Sequence, residues 1–238
     1  MDKIIISQSW GGLGDNLQFS TLPELFFNQG KKVYISSENV CRNREIFKLV
    51  WEANPFISGE SDLPANAGKC MEEKYMALSS VPYFMHRWER AHALPAKNLF
   101  PKIYYTPKII EELKGRCIID LSSTTTNYPA EVIGNFIQIF QKLHVANASD
   151  FLQVRFRNKV SQSQLMINGV EETVVDDIFQ YCDIIQSARA ICTVFSGACV
   201  LASAIRQFAD RPSIYCLVRR DFYNTGAYIF PNVRYHVF

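Results

Sequence analysis

A turn near the start of the sequence combines glycines with a carboxylate in a way that is typical of ligand sites. Residues 7–25 read SQSWGGLGDNLQFSTLPEL, in which Gly12 and Gly14 stand just ahead of Asp15. Glycines let a backbone approach a ligand closely, and the N-terminus of a following helix favours anions. The turn is therefore expected either to hold the phosphates of a nucleotide or to present Asp15 to a substrate.

Two specific interpretations of this turn stay open. As a dinucleotide-binding fingerprint it would place Glu38 on the ribose, but Leu17 stands where the third glycine of G-x-G-x-x-G is expected, and a partial match is weak. As a structural element it would use Asp15 to cap the following helix, with Gln18 where a capping box has Glu or Gln.

A second turn, residues 118–129, reads IIDLSSTTTNYP and is rich in hydroxyl groups. Its hydroxyl side chains belong to Ser122, Ser123, Thr124, Thr125 and Thr126. Together with backbone N–H groups they could bind phosphate oxygens. The alternative is a polar loop in which one of them caps the next helix.

A third turn, residues 193–205, reads TVFSGACVLASAI and leads from an apolar run into a helix of small residues. Ser196 is a suitable helix cap, and Gly197 leaves room for a close ligand. Small residues can also serve packing alone, so this turn is either a binding turn or a tightly packed helix start.

These turns are predicted to join strands to helices in an α/β protein. The expected strands are, in chain order, KIIIS, KKVYISSE, RCIIDLSS, DFLQVRF, RAICTVF, SIYCLV and an edge strand VRYHVF. Helices are expected after the glycine turn to about Asn28 and over residues 41–53, 81–94, 129–144, 174–188 and 196–208, with a loop over 55–69. Strands that alternate with helices indicate parallel sheets.

The pattern restarts after residues 95–115, which contain three prolines and are typical of an exposed connection. We therefore expect two Rossmann-like domains, residues 1–112 and 113–238. Such domains bind ligands at the loops beyond the carboxyl ends of their strands, which is where all three turns lie.

Composition excludes several classes of function. The formal net charge is only +2, without the basic runs of a nucleic-acid-binding protein. The N-terminus resembles neither a signal peptide nor a membrane span. Seven cysteines without a CxxC pair predict buried thiols in a reducing cytoplasm, and four scattered histidines predict no metal site.

Together, the turns resemble those of the lipopolysaccharide heptosyltransferase family, inverting glycosyltransferases of the GT-B fold. The family's first turn is roughly G-D-x-L-x-x-x-P, and residues 14–23 read GDNLQFSTLP, with the proline one place later. Residues 124–129, TTTNYP, are similar to the family's hydroxyl-rich turn before K-x-W-P-like residues. Residues 188–205 are similar to its A-x-x-x-x-x-x-D-S/T-G turn and small-residue helix.

The resemblance implies a compact GT-B-like fold, with two Rossmann-like domains facing across a cleft. Residues 1–112 would bind the acceptor and residues 113–238 the nucleotide-sugar donor. It also implies that Asp15 is the general base, because inverting transfer needs a carboxylate opposite the leaving diphosphate. The resulting glycosyltransferase would act without a metal.

The site residues expected on this basis fall into two groups. The donor-binding group is Ser123, Thr124, Thr125, Thr126, Ser196, Gly197 and Arg155. The acceptor-side group is Gly12, Gly14, Asn16, Gln18, Arg87 and Arg90. For Arg155 the alternative is an exposed basic strand end, and for Arg87 and Arg90 it is an amphipathic surface helix.

The expected partners are a nucleotide-sugar as co-substrate, without another cofactor, and a glycan or glycolipid acceptor. The protein is expected in the cytoplasm, with at most a peripheral contact at the inner membrane face. The family's turn lysine is absent, and Phe195 and Val200 replace an acid and a histidine. These departures keep a catalytically silent nucleotide-sugar or glycan binder as an alternative, with an NAD(P)-dependent oxidoreductase less favoured.

Overall fold

A computed structural model describes residues 2–123, 128–144, 147, 150–157, 167–208 and 212–238. The chain forms two compact units. The first comprises Met1–Thr106 and Thr225–Phe230, and the second comprises Pro107–Asn224 and Pro231–Phe238. The boundary between the two units, after Thr106, thus lies within the predicted connection but before residue 112. A short C-terminal segment also belongs to the first unit.

The first unit is a parallel four-stranded sheet with helices. Its strands are β1 (Lys3–Ser7), β2 (Lys32–Ser36), β3 (Ile57–Ser61) and β4 (Ala67–Gly68), in the spatial order β3-β2-β1-β4. Its helices are α1 (Leu13–Leu17), α2 (Leu22–Asn28), α3 (Arg44–Phe47), α4 (Glu72–Met76) and α5 (Phe84–Ala91). A π-helical turn, Lys48–Glu52, continues α3.

Two predictions for this unit are wrong. The loop expected over residues 55–69 contains β3 and β4; β3 carries the polar, largely exposed sequence ISGES, which gives no apolar signal. The helix expected after the glycine turn is two helices, α1 and α2, and Pro23 lies in the first turn of α2. Proline suits the start of a helix and not its interior, so the chain begins a new helix there.

The second unit is a parallel six-stranded sheet. Its strands are β5 (Cys117–Asp120), β6 (Phe151–Phe156), β7 (Glu171–Val175), β8 (Ala190–Val194), β9 (Ser213–Val218) and β10 (Val233–Val237), in the order β10-β9-β8-β5-β6-β7. Its helices are α6 (Ala130–His144), α7 (Ile178–Ser187), α8 (Gly197–Ile205) and α9 (Arg220–Thr225). The predicted edge position of β10 is confirmed. The helix predicted over 174–188 is wrong at its start, because Val174 and Val175 belong to β7.

Each unit has its own apolar core. In the first, Phe19, Trp51 and Trp88 are completely buried. In the second, the aromatic rings of Phe136 and Phe140 on α6 pack with apolar side chains of the sheet. The central strands read as continuous apolar runs because helices cover both faces of a parallel sheet.

The boundary between the units follows from two backbone contacts. The N–H of Lys108 donates to Asp183 Oδ1 at 2.8 Å, and that of Ile110 donates to Ser187 Oγ at 2.7 Å. Both acceptors belong to α7, so residues 108–110 are held by the second unit. These contacts explain why residues before 112 already belong to it.

The remaining sequence-level expectations concern thiols and membranes. All seven cysteines are free; five are buried, Cys41 is half-buried and Cys70 is exposed. Among the helices of the described ranges, none has both the length and the apolar character that a membrane span requires.

Candidate functional site

The glycine turn places Asp15 at the carboxyl end of β1, in the first turn of α1. Gly12 is the N-cap residue, and Asp15 Oδ2 accepts its backbone N–H at 3.2 Å. Asp15 therefore closes the helix start from the third helical position, whereas the structural interpretation had Asp15 itself as the cap. The predicted capping partner Gln18 is wrong, because it follows the last residue of α1 and its Oε1 instead accepts the Trp88 indole N–H at 3.2 Å.

Gly12 is required by this arrangement. A Cβ atom at Gly12 would lie 2.5 Å from Asp15 Oδ2, closer than non-bonded atoms approach. Gly14 is buried within α1, and Asp15 itself is partly exposed. The local sequence thus fixes a carboxylate against the backbone while leaving it accessible to solvent.

Asn16 holds the turn from inside the unit. This buried side chain donates from Nδ2 to the carbonyl oxygens of Trp10 at 3.3 Å, Gly12 at 3.0 Å and Val40 at 3.3 Å. Its Oδ1 accepts the Trp51 indole N–H at 2.8 Å. Asn16 and Gln18 were both expected on the acceptor side; both are buried and bind protein groups, and a direct role with substrate stays a prediction.

An aromatic ring and cations flank the turn. Trp10 is 44% exposed, and Lys69 Nζ lies 3.3 Å from the centre of its ring. Arg42 donates its backbone N–H to the Gly11 carbonyl at 2.7 Å, and its guanidinium extends to the Gly12 side of the turn. Lys69 is largely buried, and its charge is paired with Glu72 Oε1 at 2.7 Å. The exposed features of this turn are therefore the Trp10 ring and Arg42, although sequence reasoning singled out neither.

The closest partner of Asp15 comes from the C-terminal segment of the first unit. The Tyr228 hydroxyl donates to Asp15 Oδ1 at 2.5 Å, across 213 residues of sequence. Burial, followed by the negative charge of Asp15, raises the pKa of Tyr228 well above its ordinary value, so the phenol stays protonated and remains a donor. No sequence pattern marks Tyr228, and our sequence reasoning missed it.

The two arginines predicted on the acceptor side differ in position. Arg87 is buried on α5, and its Nε donates to the Val81 carbonyl at 2.6 Å. Arg90 is exposed on the same helix. Glu89 on α5 is also fully buried, so α5 is not an ordinary amphipathic surface helix. Arg87 contributes to packing; an acceptor contact for either arginine stays a prediction.

In the second unit, the turn after β5 is organised by Asp120. This buried carboxylate accepts the backbone N–H of Ser122 at 2.9 Å and the Ser122 hydroxyl through Oδ1, and the Tyr181 hydroxyl through Oδ2 at 2.6 Å. Ser123 is buried, while Thr124, Thr125 and Thr126 lie outside the described residues. Sequence reasoning did not single out Asp120, although an acid that ends an apolar strand was a usable signal.

The turn after β8 has the predicted geometry of a helix cap. Ser196 is the N-cap of α8, and its Oγ accepts the Ala198 N–H at 3.3 Å. Gly197 opens the helix and is partly exposed. Because β5 and β8 are adjacent and parallel, Ser123 and Ser196 follow strand ends at the same edge of the sheet.

Arg155 lies on β6, where its Nε is 3.3 Å from Glu172 Oε2 of β7. Its side chain is 53% exposed, which agrees with the alternative of an exposed basic strand end. Donor binding by Arg155 stays a prediction. Among the residues that the structure describes, no group of three His, Cys, Asp or Glu side chains is placed to hold a metal ion.

Solved structures of several glycosyltransferases superpose on this chain. The iron-containing dodecameric glycosyltransferase TibC from enterotoxigenic E. coli H10407 superposes with a TM-score of 0.64 at 13% identity. E. coli heptosyltransferase WaaC with ADP superposes with a TM-score of 0.57 at 10% identity. The chain has the heptosyltransferase fold. This result confirms the predicted α/β, GT-B-like class.

The extent of these matches differs. The match to TibC covers 98% of this chain but 62% of TibC, so the chain spans less than two thirds of that protein. The match to WaaC covers 100% of this chain and 93% of WaaC. A glycosyl transferase family 9 protein from Veillonella parvula also superposes, with a TM-score of 0.57 at 8% identity, over 100% of this chain and 86% of its own length. No family model matches the sequence, and no curated protein does.

Proposed function

We propose that this protein is an inverting glycosyltransferase that moves a sugar from a nucleotide-sugar donor to a hydroxyl acceptor, with Asp15 as the general base. The observation that carries the proposal is the partly exposed carboxylate of Asp15, fixed at the carboxyl end of β1 in a chain with the heptosyltransferase fold. Ligands of parallel α/β sheets bind at this kind of strand end.

The proposed chemistry balances with one base. The acceptor hydroxyl transfers its proton to Asp15 as its oxygen bonds to the anomeric carbon of the donor sugar. The bond between that carbon and the diphosphate oxygen breaks, and the diphosphate leaves with the electron pair. A positioned base of this kind contributes about 10²–10⁴-fold to the rate.

The donor diphosphate is assigned to the turns of the second unit. Ser123 and Ser196–Gly197 follow adjacent strands, and Ser196 caps a nine-residue helix. The N-terminus of a helix carries partial positive charge and stabilises the charge of a departing diphosphate. Thr124, Thr125, Thr126 and Arg155 remain assigned to the same ligand, and no metal is part of this proposal.

ADP-heptose is the first donor to test, because TibC has been crystallised with ADP-D-β-D-heptose. The acceptor is proposed to be a hydroxyl of a glycan or glycolipid. Trp10 and Arg42 support an acceptor of this kind, since they place an exposed aromatic ring and positive charge at the turn that carries Asp15. The proposed location is the cytoplasm, with at most a peripheral membrane contact.

Ligand binding is tested by thermal unfolding with nucleotide-sugars, free nucleoside diphosphates and NAD(P). A ligand at about 100 times its Kd stabilises the folded protein by about 2.7 kcal/mol. We expect stabilisation by ADP-heptose or another nucleotide-sugar and by the matching diphosphate. Stabilisation by NAD(P) alone would contradict the proposal and favour an oxidoreductase.

Catalysis is tested with Asp15→Asn, which keeps the size of the side chain and removes its basicity. We expect turnover to fall by about 10²–10⁴-fold with donor affinity retained. Asp62→Asn is the matched control, since Asp62 is an exposed acid of the same unit. If Asp15→Asn turned over substrate as fast as the wild-type protein, Asp15 would be excluded as the base. If the wild-type protein bound the donor but turned over no member of a broad acceptor panel, it would be a silent binder.

A further inference from the structure

The segment Thr225–Phe230 leaves the second unit in sequence and packs on the first. Gly226 begins this return with a φ of 74°, and a Cβ there would lie 2.5 Å from the Pro82 carbonyl oxygen. Only glycine therefore fits this approach to the chain before α5. The segment is seated closely against the unit that carries Asp15.

Tyr228 lies in this segment with an unusual backbone. Its φ is 51°, in the left-handed region that aromatic residues disfavour because Cβ crowds the carbonyl oxygen. Its ring packs edge-on to Phe84, with centroids 6.3 Å apart. Such a conformation persists only where surrounding contacts impose it, and residues of this kind cluster at functional sites.

The contacts that impose it form a chain of hydrogen bonds that ends on Asp15. The Trp88 indole donates to Gln18 Oε1 at 3.2 Å, and the Gln18 side chain hydrogen-bonds the Tyr228 hydroxyl. The hydroxyl in turn donates to Asp15 Oδ1 at 2.5 Å. A donor aimed at a carboxylate stabilises its ionised form.

We propose that Tyr228 is a positioning residue for Asp15, holding the carboxylate turned toward the acceptor hydroxyl. This inference rests on the proposed function, in which Asp15 is the base. Tyr228 occupies one site on Oδ1, and the Gly12 N–H occupies one on Oδ2. An ionised carboxylate has about four lone-pair sites, so room remains for the acceptor proton.

Other contacts around this pair are left in place when Tyr228 is replaced by phenylalanine. The Arg42 guanidinium lies on the Gly12 side of the turn, and the Gly12 N–H still donates to Asp15 Oδ2. A change in turnover in that variant therefore reports the lost hydroxyl.

The test is Tyr228→Phe, which keeps the ring beside Phe84 and removes only the donor. We expect kcat to fall by about tenfold with acceptor KM within about twofold of wild type, because a carboxylate that is no longer held in place meets the bound acceptor less often in the productive orientation. Tyr223→Phe, which removes an exposed hydroxyl of the second unit, is the control and should leave both values unchanged.

Two results would overturn the inference. A kcat equal to that of the wild-type protein would give Tyr228 only a structural role, and a higher kcat would mean that its hydroxyl obstructs the acceptor. Asp15→Asn separates this failure from that of the proposed function: loss of turnover there, with a wild-type kcat in Tyr228→Phe, removes only the inference.

A measurement that needs no turnover covers the case in which Tyr228→Phe has no measurable turnover. Donor affinity and the thermal unfolding midpoint of this variant are then compared with those of the wild-type protein. We expect both to be retained, and loss of either would give Tyr228 only a structural role and overturn the inference.

Discussion

Replacement of Asn16 by alanine should destabilise the first unit rather than only impair binding. Asn16 is completely buried, and its amide contacts groups from three parts of the chain. They are the carbonyls of Trp10, Gly12 and Val40 and the indole N–H of Trp51. The substitution removes every one of these contacts and introduces no replacement.

The size of the effect follows from what is left unpaired. Trp51 is completely buried, so its orphaned N–H costs about 1–3 kcal/mol. The bonds that Nδ2 shares among the carbonyls add about 1 kcal/mol for each of its two hydrogens. We therefore expect Asn16→Ala to lower the free energy of unfolding by about 3–5 kcal/mol.

Tryptophan fluorescence during urea unfolding measures this loss in the relevant unit. The three tryptophans, Trp10, Trp51 and Trp88, all belong to the first unit, so their emission reports its unfolding. Asn28→Ala is the matched control, because Asn28 is exposed at the end of α2. We expect the control to stay within about 0.5 kcal/mol of wild type.

The result that would refute this reasoning is a stable Asn16→Ala variant. If its unfolding midpoint matched that of the control while turnover fell sharply, Asn16 would act on substrate, as the sequence predicted for the acceptor side. If both stability and turnover were unchanged, the hydrogen bonds of Asn16 would contribute nothing to the turn.

Two further outcomes are expected in the first unit. Gly226→Ala should lower the free energy of unfolding by about 2 kcal/mol or more, because a φ of 74° and a Cβ at 2.5 Å from the Pro82 carbonyl oxygen act together. Gly30→Ala is the control, because Gly30 has a similar φ of 76° but open space around its Cβ position, and it should lower the free energy by less in the same unfolding assay. Equal losses in the two variants would contradict the clash with Pro82. Burial lowers the pKa of His92 below its ordinary 6.5, and its Nε2 accepts the Gly68 N–H. Because the unfolded chain then binds a proton more readily than the folded protein, the free energy of unfolding should fall as the pH drops below 6.5. His92→Gln should weaken that pH dependence. A wild-type unfolding midpoint that does not change from neutral to mildly acidic pH would contradict this prediction.

Local sequence was sufficient for the central strands and for the turns that begin α1 and α8. The runs RAICTVF and SIYCLV are buried on both faces, and Ile5 and Ile6 of KIIIS are buried, which makes their apolar signal continuous and strong. The caps at Gly12 and Ser196 use contacts within three residues along the chain. Such contacts depend on local chemistry and so can be predicted before any fold is known.

Strands at the edges of the sheets lacked that signal. β3 is polar and largely exposed, and β7 at the far edge of the other sheet begins with two exposed glutamates. Their pairing with a neighbouring strand, rather than their own side chains, makes them strands. The sequence therefore indicated a loop for the first and a helix for part of the second.

The amino-acid sequence by itself determined the α/β class, the two restarting halves and the turn that carries Asp15. Only the tertiary structure decided what faces that carboxylate. Tyr228 is 213 residues away and reaches it because Gly226 lets the chain pack against Pro82. A contact of this range depends on which distant segment a fold buries against which surface, and no local propensity encodes that choice.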